Sequence, residues 1–167
     1  RFFNKDLAGG ALLDIGGYTT AFASSFMDEY SESINTTLKF FETGVDEESG
    51  IILKNSKGQM AVMSLSMRAK QPKRGLVSGT KGYFEINQYP RGTETDITYT
   101  QSAHEESYDK VTAGDADQAL EYEVTDFQKY IEQGHDEGEL EKSRMIAHIL
   151  TSIRTAWGMT YPFDNEE

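Results

Sequence analysis

The apolar residues of this chain change their period twice, and that change limits the folds open to it more than any single motif does. Leu12, Leu13, Ile15, Tyr18, Ala21, Phe22 and Phe26 recur near helical spacing, which predicts a helix over about residues 10–29. From Ile34 the period drops to two: Ile34, Thr36, Leu38 and Phe40 alternate with Asn35, Thr37 and Lys39, as on a pleated strand. Asp46-Glu47-Glu48-Ser49-Gly50 reads as the turn that ends it. Ile51–Lys54 and Gln59–Met67 flank Asn55-Ser56-Lys57-Gly58, whose Asn and Gly suit a tight hairpin. Residues 74–80 and 82–88 pair around Lys81-Gly82, 96–101 form one more strand, and 102–117 read as a polar connection. Helical spacing then returns. Leu120, Val124, Phe127 and Ile131 form one stripe ending at Gly134, and Lys142, Ile146, Ile149, Leu150, Ile153 and Trp157 trace a helix face over about 138–157 that Gly158 stops. Strands bracketed by helices predict an α+β fold: a mostly antiparallel, open-faced sheet with helices on one face.

Within the first helical segment, Asp14 and Tyr18 stand four apart and so share a face. Two readings of the pair stand. An acid and a phenol converging at an apolar helix start can handle a proton at a carbonyl or alcohol carbon. Equally, Asp14 can cap or pair locally while Tyr18 fills core with its hydroxyl at the rim. A second ambiguity lies in the strand at Met60–Met67, which carries Met63, Leu65 and Met67 on one side and Met60 and Val62 on the other. A sheet covered by helices on one face is expected to be polar on its second. Such a strand is either buried on both sides within the monomer or covered by a subunit interface.

Composition narrows the partners. The 167 residues carry 16 basic and 28 acidic side chains, a formal net charge of -12, which disfavours nucleic acid and anionic membranes. There is no cysteine, so disulfides, thiolate catalysis and cysteine-ligated metal are excluded, which fits a cytoplasmic protein. No apolar run approaches the roughly 20 residues that span a bilayer. His104-Glu105-Glu106 and His135-Asp136-Glu137 read as solvated polar runs rather than metal ligands, and no metal is expected. His148 reads as a packed or surface residue, Lys81 as part of a turn without P-loop spacing, and Glu121, Glu123, Asp126 and Glu132 as a solvated helix face.

The run Gly9-Gly10-Ala11-Leu12-Leu13-Asp14-Ile15-Gly16-Gly17-Tyr18 resembles the opening of the C-terminal domain of the Gfo/Idh/MocA oxidoreductases, especially the dihydrodiol dehydrogenase-like branch. Gly79-Thr80-Lys81-Gly82-Tyr83-Phe84 is similar to that family's strand-turn-strand. Leu120-Glu121-Tyr122-Glu123 with Phe127, Ile131 and Gly134 resembles its late helix, and Ser143 through Trp157-Gly158-Met159-Thr160-Tyr161-Pro162 its final helix and terminal turn. The resemblance implies two-domain enzymes in which a separate N-terminal half carries the nucleotide-binding glycine turn and a catalytic lysine. Neither is present: the glycines from Gly9 to Gly17 follow no strand and lack the dinucleotide spacing. The chain begins at Arg1 without a methionine and reaches the family's domain start at once, so residues 1–167 are expected to be the C-terminal substrate-binding and oligomerisation half.

By the same resemblance, NAD or NADP is held mainly by the other half, with no cofactor-binding residue here. Asp14 orients a small-molecule substrate (a sugar, polyol or dihydrodiol) and assists acid–base chemistry, and Tyr18 acts as general acid or base. Tyr18 stands where many members have histidine, and a phenol needs a nearby cation to work at neutral pH; in the family that cation is the other half's lysine. A homodimer through the open sheet face is implied as well. The alternative is a non-catalytic relative that keeps the fold and the interface.

Overall fold

The computed structural model describes residues 1–102, 104–136 and 138–165. Glu137 of the His135-Asp136-Glu137 run lies outside them. The elements run α1 (Gly17–Ser25), β1 (Ser31–Phe40), β2 (Asp46–Asn55), β3 (Met60–Ser66), β4 (Arg74–Gly79), β5 (Gly82–Asn87), β6 (Glu94–Ser102), β7 (Glu105–Thr112), α2 (Ala119–Gln133) and α3 (Glu139–Ala156). The chain divides into two compact units, Arg1–Gln71 with Glu139–Glu167, and Pro72–Gly138. The architecture is α+β as expected, with every strand pair antiparallel, but the strands form two sheets rather than one, ordered β1-β2-β3 and β4-β5-β6-β7.

In the first unit the register sets one apolar face against the helices. Ile34, Leu53 and Ala61 lie abreast, as do Thr36, Ile51 and Met63, and Leu38, Ser49 and Leu65. Ile51, Leu53, Met63 and Leu65 are buried with Ala11, Leu12, Ala23, Ile149 and Ile153 in one cluster. Each fully buried aliphatic side chain there is worth about 1.5–3 kcal/mol. The β2–β3 hairpin forms at the expected place. Asn55 Nδ2 donates to Gln59 Oε1 at 2.7 Å, Gln59 N–H donates to Asn55 Oδ1 at 2.9 Å, and Gly58 takes φ +79°.

The Met60–Met67 strand resolves to one inward face. Met63 and Leu65 are buried whereas Met60 and Val62 are 65% and 72% exposed. Val62 lies beside Ile52 on the uncovered face, and the same face carries Lys54, Ser64 and Asn35. That face is therefore mixed, with one short apolar row.

Two expectations for this unit are corrected. The helix over 10–29 is not continuous: Leu12–Gly16 form a π-turn, α1 follows it, and helix ends at Ser25. Asp46-Glu47-Glu48-Ser49-Gly50 is no turn but the first half of β2, with Asp46, Glu47 and Ser49 buried. The reversal falls instead just before it, where Phe41 N–H bonds Val45 O at 2.8 Å and Gly44 takes φ +82°. Acidic composition suggested solvent, and paired charge overrides it for Glu47, whose carboxylate meets Lys39 Nζ at 3.4 Å and Arg68 Nη1 at 3.5 Å.

In the second unit β4 and β5 turn tightly at Gly82, where a Cβ would stand 2.1 Å from Thr98 O. The polar connection over 102–117 contains a strand that sequence reading missed. All eight residues of β7 are exposed, so no alternation marks it; its Lys110 reaches Glu94 at 3.2 Å and Asp96 at 3.4 Å across the ladder. Helix α2 ends at Gly134 with φ +73°, as expected, and its stripe Leu120, Val124, Phe127 and Ile131 is exposed. Among the described residues no helix is long and apolar enough to cross a membrane.

Candidate functional site

The segment carrying Asp14 and Tyr18 starts at a sharp bend. Gly9 and Gly10 lead into it, and both positions exclude a side chain. A Cβ on Gly9 would stand 2.5 Å from Phe2 O, and one on Gly10, whose φ is +114°, 2.2 Å from Asp46 Oδ1. Asp46, at the start of β2, accepts a hydrogen bond from Leu12 N–H at 2.7 Å. A carboxylate thus sits on the free N–H groups of a helix start, where both the donors and the dipole favour negative charge.

Asp46 is fully buried. Burial pushes its carboxyl up to about 6, against the N–H groups of Leu12, of Asp46 itself and of Ala11, which draw it down. Among the described residues its Oδ1 has no hydrogen-bond partner. From the other side, Tyr161 O–H donates to Gly9 O at 2.6 Å, with both groups buried. Burial first, and then the charge of Asp46, push the Tyr161 phenol up to about 12. The turn Pro162–Asn165 is tied to α3, because Arg154 meets both oxygens of Asp164 at 3.0 and 2.9 Å while Asp164 Oδ2 accepts Tyr161 N–H at 2.7 Å. Further along, the π-turn lies close on the core: a Cβ on Gly16 would meet Leu65 Cδ1 at 3.3 Å and Leu150 Cδ2 at 3.5 Å.

Asp14 lies inside the π-turn, partly exposed, with Arg1 Nη2 at 3.7 Å. An exposed pair of that length is worth little. Tyr18, in the first turn of α1, is 54% exposed, and among the described residues its phenol has no hydrogen-bond partner. Asp14 and Tyr18 are not bonded to one another, and the wider turn between them replaces the simple α-helical relation expected from their spacing. Such π-turns recur at functional sites because they redirect the residues that follow. Sequence reading missed Asp46, taken for part of a turn, and Tyr161, noted only for resemblance. No signal in a single acidic run distinguishes a buried aspartate from its exposed neighbours.

The other candidates stay apart from this segment. His104 and His135 are exposed. His148, also exposed, meets the Tyr30 ring edge-on with centroids 5.9 Å apart. Lys81 belongs to the β4–β5 turn, where its carbonyl accepts Thr100 N–H at 2.9 Å. The helix start after Gly10 is the sort of place that binds a pyrophosphate, but here an internal carboxylate fills it. The glycines of this segment therefore do not fit a dinucleotide.

A sequence model of the "GFO/IDH/MocA C-terminal domain" matches residues 1–85. Among curated relatives, trans-1,2-dihydrobenzene-1,2-diol dehydrogenase of Xenopus tropicalis is 31% identical over 97% of this chain and 51% of its own length. The human enzyme of the same name is 29% identical over 98% and 51%. The chain thus spans about half the length of the relatives it matches. Among solved structures, a 3-ketoreductase from Actinomadura kijaniata in complex with NADP and TDP-benzene superposes with a TM-score of 0.72 at 20% identity, covering 92% of this chain and 48% of that one. A levoglucosan dehydrogenase in complex with NADH and L-sorbose gives 0.65 at 20% identity over 80% and 44%. With its fold and the opening helix segment alike in agreement, the chain belongs to the Gfo/Idh/MocA C-terminal domain family.

Proposed function

We propose that this chain is the substrate-binding and dimerisation half of an NAD(P)-dependent oxidoreductase that moves hydride between a nicotinamide cofactor and an alcohol carbon of a dihydrodiol, sugar or polyol. The observation that carries the reading is the exposed phenol of Tyr18, in the first turn of α1, directly after the π-turn that carries Asp14. It is supported by relatives named as dihydrodiol dehydrogenases over nearly all of this chain. The cofactor, held by a part of the protein outside these residues, supplies the hydride chemistry. Asp14 accepts a hydrogen bond from a substrate hydroxyl and fixes its orientation. Tyr18 takes the alcohol proton as the carbonyl forms, or returns it in the reverse direction. A cation supplied from outside this chain would ease loss of the phenolic proton.

Dimerisation is assigned to the uncovered face of β1–β3, where Met60, Val62 and Ile52 make an exposed apolar row. A cysteine-free chain is compatible with the reducing cytoplasm, the compartment proposed here.

The test is turnover by the whole protein with NAD or NADP and a panel of trans-dihydrodiols and sugars, followed by absorbance of the reduced nicotinamide. Tyr18→Phe should lower kcat by about 100-fold, the scale of losing a general acid–base group, while cofactor affinity holds. An unchanged rate would return Tyr18 to a packing role, and no turnover with any substrate would favour a non-catalytic relative.

A further inference from the structure

We propose that Asp46 is a positioning residue of the candidate site: by gripping Leu12 N–H from the start of β2 while lying flush against Gly10, it fixes where the π-turn begins and hence the direction in which Asp14 and Tyr18 project. The proposal rests on the reading of that pair as substrate-facing groups. Its geometric basis is a set of three contacts along one short segment. Gly9 O is held by Tyr161 at 2.6 Å, Leu12 N–H is held by Asp46 at 2.7 Å, and Gly16 lies against Leu65 and Leu150.

Of these, only the Asp46 contact acts on the first residue of the π-turn. A turn that departs from α-helical spacing can slip back into register unless its first bonds are pinned, and a slip would rotate every residue after it. Asp14 follows the pinned N–H by two residues and Tyr18 by six.

The choice of residue supports the assignment. Ser, Thr or Asn caps a helix start without bringing a charge into the interior. Asp46 instead brings a carboxylate to a fully buried site with one oxygen left unpartnered, which is costly, and burial accordingly pushes it up to about 6. At neutral pH it remains mostly ionised, and an ionised acceptor makes the stronger hydrogen bond. From the C-terminal turn, Tyr161 faces it closely enough for the Asp46 charge to raise the phenol. On β2, the carboxylate of the adjacent Glu47 is engaged by Lys39 and Arg68, and Lys5 Nζ comes within 3.8 Å of the Cβ position of Gly44 in the preceding loop.

The experiment compares Asp46→Ala and Asp46→Asn in the whole protein by two readouts: amide hydrogen exchange over residues 11–18, and kcat against KM. Asp46→Ala is expected to speed exchange at Leu12 at least 10-fold and to lower kcat by roughly 10- to 100-fold, the scale of a misplacement near 1 Å, with cofactor KM within about twofold. Asp46→Asn keeps the acceptor and should recover part of both. Should Asp46→Ala fail to fold, Asp46→Asn decides alone: a melting temperature unchanged or raised together with a lowered kcat upholds the proposal. An Asp46→Asn protein with unchanged kcat and unchanged exchange over residues 11–18 overturns it. If the unmodified protein turns over no substrate, the functional reading fails, and the exchange arm still decides whether Asp46 sets the segment: faster exchange on substitution upholds it, and unchanged exchange overturns it.

Discussion

The hydroxyl of Tyr161 donates to the carbonyl of Gly9 at 2.6 Å across 152 positions of sequence, so the turn after the last helix holds the bend before the first. Removing that donor leaves a buried carbonyl unsatisfied. Tyr161→Phe should therefore destabilise the fold by about 1–3 kcal/mol, read by urea or thermal unfolding. A change within error would mean that water or a shifted backbone takes over the bond.

Asp46 gives the pH dependence a definite sign. Its carboxyl is raised from 3.8 to about 6, so the folded state binds that proton more tightly than the unfolded state does. The stability it contributes is complete below its ordinary value and is lost as pH rises through about 6. Between pH 7 and pH 4 this amounts to roughly 2 kcal/mol in favour of the acid side, at about 1.4 kcal/mol per unit, because at pH 4 the unfolded carboxyl is itself partly protonated. Urea unfolding of the parent and of Asp46→Asn across that range isolates the effect from the other carboxylates. Parallel curves would remove Asp46 as its source.

Glycines in the same segment should separate cleanly. At Gly10 an alanine meets both a φ of +114° and a carboxylate oxygen 2.2 Å from its Cβ, so Gly10→Ala should cost about 3 kcal/mol or more. At Gly17 the backbone is already right-handed helical at φ -55° and nothing lies within 4 Å of an added Cβ. Gly17→Ala should be neutral or stabilising by up to about 1 kcal/mol. Thermal melts of the two variants side by side check the contrast, and equal losses would argue against the bend as drawn.

The uncovered face of the first sheet gives the test of assembly. Val62 is 72% exposed beside Ile52, whereas Met63 on the same strand is 6% exposed in the core. Val62→Asp should yield a folded monomer by sedimentation at tens of micromolar, where an interface of standard size holds. Met63→Asp should misfold, because it buries an unpaired charge. A parent protein that is itself monomeric at that concentration would remove the interface.

Much of the architecture could be read from hydrophobic period alone. The β2–β3 and β4–β5 hairpins, the alternation of Ile34, Thr36 and Leu38 on β1 and the spans of α2 and α3 fall where alternation or helical spacing puts them. What escaped has a common physical cause: residues whose surroundings contradict their chemistry. Asp46 and Glu47 look like solvent and are buried, one under a helix start and the other between two cations. Strand β7 looks like loop because both of its faces are exposed and nothing forces alternation on it. The π-turn is invisible because Leu12–Gly16 would suit an α-helix equally well, and what distinguishes them is the pinning of its ends by residues far along the chain. Asp14 and Tyr18 stood out as candidates by their spacing, whereas Asp46 and Tyr161, which hold the start of their segment, did not.

The long reach between Gly9 and Tyr161 also orders events during synthesis. The helix segment bearing Asp14 and Tyr18 leaves the ribosome well over a hundred residues before the tyrosine that secures its bend, and a contact so distant in sequence closes slowly. At about 5–20 residues per second the segment waits many seconds with Gly9 unsecured. A nascent chain stopped short of Tyr161 therefore carries Asp14 and Tyr18 and lacks the anchor that holds their segment, so that segment is secured only long after its own residues are made.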